Sequence, residues 1–485
     1  MKKSKKSLIA IALVSLLAPT IAYAVPAAPP SGGPGGQGSP GGSSSANISY
    51  KGAATFTSNT EESSKTYSST TGSQNALLVS SGTSTINSCT VTKSGDSSDE
   101  NSDFYGTNAA ILVYNGATLN IKGGTITTNG SHANGVFAYG EGTINISDAK
   151  INTTGNNSGG VMVTGGGTLT ATNLNVKTAG NSSASIRSDR GGGTLTVKGG
   201  TYETSGTGSP AIYSTADITV NDATLTSTAS EGVVVEGANS VTLNNTTLTD
   251  TNNTLNGNSE TYKNIFLYQS MSGDADEGKA TFTAKNSTIT TNKGDTIFVT
   301  NTTAEINLEH NTIKNTDGDF LRIQTGKWGN SGSNGGNVTL NMTNQEVEGN
   351  IIVDSISTLN LTLKDKSLFK GSIDTDNQAK EVNVTLSKDS VIVLTADTYL
   401  DSLTNEVSDN SNIYLNGHKL YVNGKTVSAN EGTYGENTSA DTTDKVVKED
   451  NNYLYYIIGG VVAVVIIGGI IIFIKKKNRK KADLN

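Results

Sequence analysis

A hydrophobic residue at the same place in a short motif returns about every 25 residues through most of this chain. That repeat is hard to reconcile with a fold in which each segment packs in its own way. The column runs Leu77, Ile111, Val136, Val161, Ile186, Ile212, Val233, Ile265, Ile297, Leu321 and Ile351, at spacings of 34, 25, 25, 25, 26, 21, 32, 32, 24 and 30. A period of that size with variable insertions marks a solenoid. Two further alternating runs follow within each unit. The second includes Thr118-Leu-Asn-Ile121, Thr143-Ile-Asn-Ile146 and Thr194-Leu-Thr-Val197; the third includes Thr125-Ile-Thr127, Lys150-Ile-Asn152 and Thr288-Ile-Thr290. Their period of two and their Thr, Ile and Val content predict strands, with Gly-Gly, Asn-Gly and Asp-Ala steps as turns.

Three short strands per turn predict an all-β, right-handed parallel β-helix. One coil cannot bury its inward Ile, Leu and Val, but coils stacked at about 4.8 Å share a continuous core. Eleven or so coils would span on the order of 50 Å. A β-propeller would need four strands per blade and a period near 40 residues, which the central spacings do not give. Gly124, Ala149, Gly200 and Ala223 align with Cys89. This predicts an inward corner where only small side chains fit, and makes the single cysteine a filler.

The two ends predict an address. Lys2, Lys3, Lys5 and Lys6, the apolar run Leu8 to Leu17 and Ala22-Tyr23-Ala24 make residues 1–24 a secretory signal. Residues 453–474 are uncharged and mostly apolar, opening with Tyr453, Tyr455 and Tyr456, and six basic residues follow in the tail 475–485. They predict a single transmembrane helix with the tail in the cytoplasm and the N-terminal part outside. Between the ends come a Pro/Gly/Ser-rich lead at 25–46, β-helix repeats at 47–375, closing strands with a hairpin at 376–426, and a polar acidic stalk at 427–452.

With the four basic residues of the signal and the six of the tail set aside, 25 basic and 42 acidic residues remain, a net charge near −17. Such a surface repels phosphate backbones and argues against a nucleic-acid partner. One cysteine permits no intrachain disulfide, and His132, His310 and His418 lack ligand spacing.

Taken together, GATLNIKGGTITTNG and GGTLTVKGGTYETSG resemble the pectin-lyase-like β-helix regions of bacterial adhesin-like surface proteins, over residues ~75–425. The resemblance implies a cell-surface binding or structural role; a minority of that superfamily are polysaccharide lyases or hydrolases. The chain departs from two familiar versions, since it has neither a terminal membrane barrel nor an LPxTG-like sorting motif.

No acidic pair recurs at the coil period, so no catalytic residues are assigned. Two loops stand out. Ser272–Glu277 and Lys327–Gly336 interrupt the step from first to second strand in coils two apart, which predicts one corner carrying Tyr268, Asp274, Asp276, Glu277, Arg322, Lys327 and Trp328. An aromatic ring near carboxylates suits a sugar, and the alternative is two tolerated surface insertions. Asp96, Asp99, Glu100 and Asp103 form an oxygen-rich loop of the kind that holds calcium, though without EF-hand spacing; a solvated loop is the alternative. The reading that follows is an adhesin-like surface protein directed at a host, cell or glycan ligand. Its alternatives are a membrane-tethered polysaccharide lyase or glycosidase and, from outward pairs such as Thr125/Thr127 and Thr224/Thr226, an ice-binding protein.

Overall fold

A computed structural model describes residues 48–256 and 259–435. The chain is a parallel β-solenoid of about 15 turns. The first strands of successive coils form a twelve-stranded parallel sheet in which Leu77, Ile111, Val136, Val161, Ile186, Ile212, Val233, Ile265, Ile297, Leu321 and Ile351 pair in register. The repeat is therefore the structural column it predicted. All eleven are fully buried. The second strands share one 22-stranded sheet with the third strands as far as Thr312–Asn315, the third strands of later coils form a four-stranded parallel sheet, and in two coils a single strand, Gly167–Thr178 or Gly193–Thr204, runs through both second and third positions.

Two turn chemistries set the coil length. Between second and third strands the chain needs one residue in the left-handed region, filled by Asp148, Asn173, Asp222, Asn245, Asn286, His310 and Asn344, or by Gly123 and Gly199. The next residue points into the corner. At Gly124 an added Cβ would lie 2.2 Å from the Cys89 carbonyl oxygen, so that position must be glycine. The expectation that only small side chains fit does not hold along the whole column. Leu174 stacks in it against Gly200, and in later coils polar side chains enter to take backbone protons. The Thr246 N–H donates to Ser287 Oγ at 3.1 Å, Ser287 N–H to Asn311 Oδ1 at 2.9 Å, Asn311 N–H to Gln345 Oε1 at 2.7 Å, and Gln345 N–H to Ser367 Oγ at 3.1 Å. A buried side chain is tolerated there because it satisfies a backbone donor that the bend removes from the sheet ladder. Ser158, Ser183 and Ser209 form a similar ladder at the opposite corner. Cys89 is buried and free, as a filler would be.

Parallel stacking runs further than the eleven predicted coils. Gly52–Phe56 adds a coil before Leu77. Beyond residue 376, Glu381–Leu386 stacks on Thr358–Lys364, Val391–Leu394 on Leu368–Gly371 and Thr398–Leu400 beside Leu420–Val422, all parallel. The segment expected to close the stack is therefore mostly more stack, and only its end, Leu420–Val422 with Lys425–Thr426, is an antiparallel hairpin. The spacing loosens there because the coils lose their long insertions, not their register. At about 4.8 Å per coil the solenoid extends roughly 70 Å. Among the described residues one short helix, Asn101–Phe104, is present, and no helix is long and apolar enough to cross a membrane. The signal segment 1–24, the lead 25–46, most of the stalk 427–452, and the span 453–474 with its tail lie outside the described residues.

Inward and outward columns respond differently to charge. Ile186→Asp places a carboxylate in a dry interior and is expected to cost several kcal/mol, whereas Thr196→Asp, on the outward side of Gly193–Thr204, is expected to change stability by less than about 0.5 kcal/mol. Equal shifts in thermal unfolding would contradict this inward assignment.

Candidate functional site

The outward face of the first sheet breaks the alternation seen elsewhere. Leu78, Leu112, Phe137, Met162, Arg187, Tyr213, Val234, Phe266 and Phe298 all point away from the core and are nevertheless buried. Insertions fold over them. The segment 94–110 carries the short helix across the sheet, where the Thr164 hydroxyl donates to the Phe104 carbonyl at 2.7 Å. From the other direction comes the loop 269–278, with Asp274 and Ala275 buried.

A buried ionic cluster lies where the two insertions meet. Arg187 occupies the outward place that Met162 and Tyr213 hold in the adjacent coils. Its Nη2 donates to Asp189 at 3.1 Å, and its Nη1 lies 3.9 Å from Asp103. The other Asp103 oxygen is 2.8 Å from His132 Nδ1. Arg190 Nε donates to Asp274 at 2.6 Å while the guanidinium sits 3.9 Å over the Phe104 ring. Arg190 thus fastens one insertion to the other. Burial pushes the Asp189 carboxyl up to about 7 against the pull of Arg187, with Asp274 and Asp103 adding to the rise. Glu236 accepts from Tyr268 Oη at 2.8 Å and from the hydroxyls of Tyr213 and Ser270. Burial raises its carboxyl above the usual range although those three hydroxyls pull it down.

Chemically, this arrangement holds loops to a sheet. Asp103, Asp189 and Asp274 already face arginines or a histidine, and Glu236 faces three hydroxyls. The dent above Arg187, lined also by Ser182, Ala184, Gly208, Pro210 and Tyr213, has no room for a water molecule. A general acid or base needs an approach for substrate that this cluster does not offer.

A second buried group flanks it. Lys263 Nζ is 3.2 Å from Glu231 and 4.6 Å from the centre of the Phe266 ring. Asp250, fully buried at the end of the third strand Thr247–Asp250, is pushed up to about 9 by burial, with Glu231 adding to the rise.

The corner expected from the two loops is only partly assembled. Tyr268 and Trp328 do meet, with ring centres 5.2 Å apart. Trp328 is half-buried against the Phe266, Tyr268 and Phe298 cluster, and its loop is pinned by Asn334 Nδ2, which donates to the Gly326 and Trp328 carbonyls at 2.8 and 2.9 Å. The ring packs on its own coils and stays partly open. Asp274 turns away to Arg190, Asp276 and Glu277 are exposed, Arg322 pairs with Asp295 and Asp319, and Lys327 lies 3.6 Å from Glu260. The acidic loop is likewise divided among separate tasks: Asp96 accepts from the Ser131 N–H at 2.8 Å, Asp99 from the Asn101 N–H at 3.0 Å, Glu100 stands at the helix start, and Asp103 joins the ionic cluster. Among the described residues no group of three or more His, Cys, Asp or Glu side chains is placed to hold a metal ion. Sequence reasoning missed Arg187, Asp189, Arg190 and Glu236. Their available signal was a charged side chain one, three or four residues after an inward Ile186 or Val233, where hydroxyl and apolar groups are the rule.

The second strands carry a different surface. Their central outward position reads Thr85, Asn120, Asn145, Thr170, Thr196, Thr219, Thr242, Thr283, Asn307, Asn341, Thr362, Thr385 and Thr404 in thirteen successive coils, in register. None is buried. Amide groups link neighbours along it, with Asn145 Nδ2 donating to Asn120 Oδ1 at 3.0 Å and Asn341 Nδ2 to Asn307 Oδ1 at 2.9 Å. A groove of about 270 Å³ crosses the column, lined among others by Thr85, Asn120, Asn145, Thr170 and Thr172. The threonine array read from the third strand is broken by Lys150, Lys177 and Glu203, whereas this one on the second strand is continuous.

No family model, curated protein or solved structure matches the chain.

Two measurements test the cluster. Arg190→Ala strands the buried Asp274 carboxylate and is expected to cost on the order of 3 kcal/mol in urea unfolding, and Arg190→Ala combined with Asp274→Ala is expected to recover part of that loss. Asp250 is neutral in the fold and ionised in the unfolded chain between about pH 4 and its folded value near 9, so folding takes up a proton across that window. Stability should therefore fall as pH rises from 5 to 9, by at most about 1.4 kcal/mol per pH unit for such a group. Asp250→Asn should flatten the decline, and parallel melting curves for the two proteins would mean that Asp250 folds ionised.

Proposed function

We propose that this chain is a surface-displayed, adhesin-like binding protein whose solenoid presents an extended hydrogen-bonding face to a host, cell or glycan ligand. The observation that carries the reading is the unbroken, solvent-facing column of Thr and Asn in thirteen successive coils. Each coil offers a hydroxyl or an amide at the strand spacing of about 4.8 Å, on a surface without charge at that position. Such a face supplies weak contacts many times over, which suits retention of a long ligand by multivalency. The buried carboxylates Asp189, Asp274 and Glu236, each facing a cation or hydroxyls beneath the insertions, argue in the same direction and away from a lyase or glycosidase. The display half of the proposal rests on the two ends of the sequence, where residues 1–24 have the pattern of a secretory signal and 453–474 that of an apolar span followed by a basic tail, a pattern that opposes translocation.

Cells expressing the full chain test both parts together. They are expected to retain glycan- or matrix-coated beads without releasing new reducing or unsaturated ends, and Asn145→Arg with Thr170→Arg is expected to reduce retention at least about tenfold. Removing 457–485 should transfer bead binding to the medium. Turnover of a polysaccharide, or full retention by the double variant, would overturn the assignment.

A further inference from the structure

Four tyrosines from four separate segments converge on the outer side of the first sheet at its N-terminal coils. Tyr50 precedes Gly52–Phe56, Tyr105 caps the helix Asn101–Phe104, Tyr114 follows Ile111–Val113, and Tyr139 ends Val136–Tyr139. Tyr50 sits between two of the others, its ring centre 4.3 Å from that of Tyr114 and 6.4 Å from that of Tyr139, with tilts of 37° and 41°. Tyr105 meets Tyr139 edge-on at 5.4 Å. Beneath them Leu78, Leu112 and Phe137 are buried and back the rings of Tyr50, Tyr114 and Tyr139. All four are half-buried, so part of each ring remains open.

Their hydroxyls separate this cluster from an ordinary hydrophobic patch. None of the four donates to or accepts from a protein group among the described residues, and none is sealed from solvent. Burial, with neighbouring phenols adding to it, raises Tyr50 and Tyr139 above the usual range, and a phenol is in any case protonated and able to donate at physiological pH. An aliphatic ligand would cover the rings but strand these hydroxyls, at a cost comparable to a lost hydrogen bond for each. Phenol hydroxyls offer a charged ligand hydrogen bonds but no ion pair. The group that satisfies both features has one face of polarised C–H bonds for the ring surfaces and a rim of hydroxyls for the phenols.

We infer that Tyr50, Tyr105, Tyr114 and Tyr139 form a binding site for a neutral pyranose sugar, separate from the Thr/Asn face. It is also separate from Trp328, which packs against Tyr268. Its rings are held by the packing beneath them, so little side-chain freedom is lost on binding.

The native full-length chain in detergent would be probed with an array of neutral oligosaccharides that includes cellotetraose, chitotetraose and mannotetraose, and its best ligand titrated by calorimetry. Tyr114→Ala and Tyr139→Ala are each expected to weaken that ligand about tenfold, the effect of losing one stacking ring. Tyr114→Phe and Tyr139→Phe keep the packing and are expected to weaken it about threefold through the lost hydroxyl, so the test survives if either alanine variant fails to fold. Asn145→Arg with Thr170→Arg should leave this binding unchanged, which separates failure of the site from failure of the Thr/Asn face. The inference is overturned if the native chain binds no neutral sugar on the array, if the phenylalanine variants and any folded alanine variant bind as the native chain does, or if a proline-rich peptide binds the patch more tightly than every sugar.

Discussion

Register between neighbouring coils is the constraint on which this molecule depends. An inward Ile or Val is dry only because the equivalent residue of the next coil lies against it, and a slip of one residue would turn the whole inward set to solvent. The pairing of Ile111, Val136, Val161 and Ile186 shows the condition met without deviation through coils of 25 residues. Where a coil is longer, the excess is expelled at the corners and the strands keep their places. Side chains such as Asn311 and Gln345 enter the core at those corners because they replace the ladder partner that the bent backbone lacks.

Much of the architecture was legible for that reason. Period-two runs of Thr, Ile and Val announce strands, left-handed positions announce themselves as Asn, Asp or Gly, and a recurring inward column fixes the coil. The number of coils was less legible. The final coils carry Val391–Leu394, Thr398–Leu400 and Ile413–Tyr414 on shortened turns without long insertions, which read as closing strands and a hairpin when only spacing is considered.

The outer surface of the first sheet was legible hardly at all. Repetition describes contacts between neighbours, whereas Arg190 with Asp274 and Phe104 with Thr164 join residues 84 and 60 apart in the chain. Such partners follow from the path of two irregular insertions, on which the period is silent. Trp328 illustrates the same gap. As a lone tryptophan in a Gly/Ser/Asn loop it has the composition of an exposed platform, but the loop is folded back by Asn334 and the ring rests on Tyr268. The four tyrosines present the opposite case, being scattered in sequence and adjacent in space.

A stack of similar coils joined only to its neighbours behaves as a chain of domino-like units, able to open from either end one unit at a time. The insertions alter that behaviour in the middle. Because Arg190 joins a segment inserted before Ile111 to one inserted after Tyr268, coils several steps apart cannot part independently, and that block opens together or stays closed. The coils beyond Leu321 have no such crossing tie among the contacts described above. Force or heat applied along the axis would therefore peel the coils nearest residue 435 while the block carrying the ionic cluster and Tyr139 stays closed. A molecule built this way can lengthen under load and keep its clustered side chains in place.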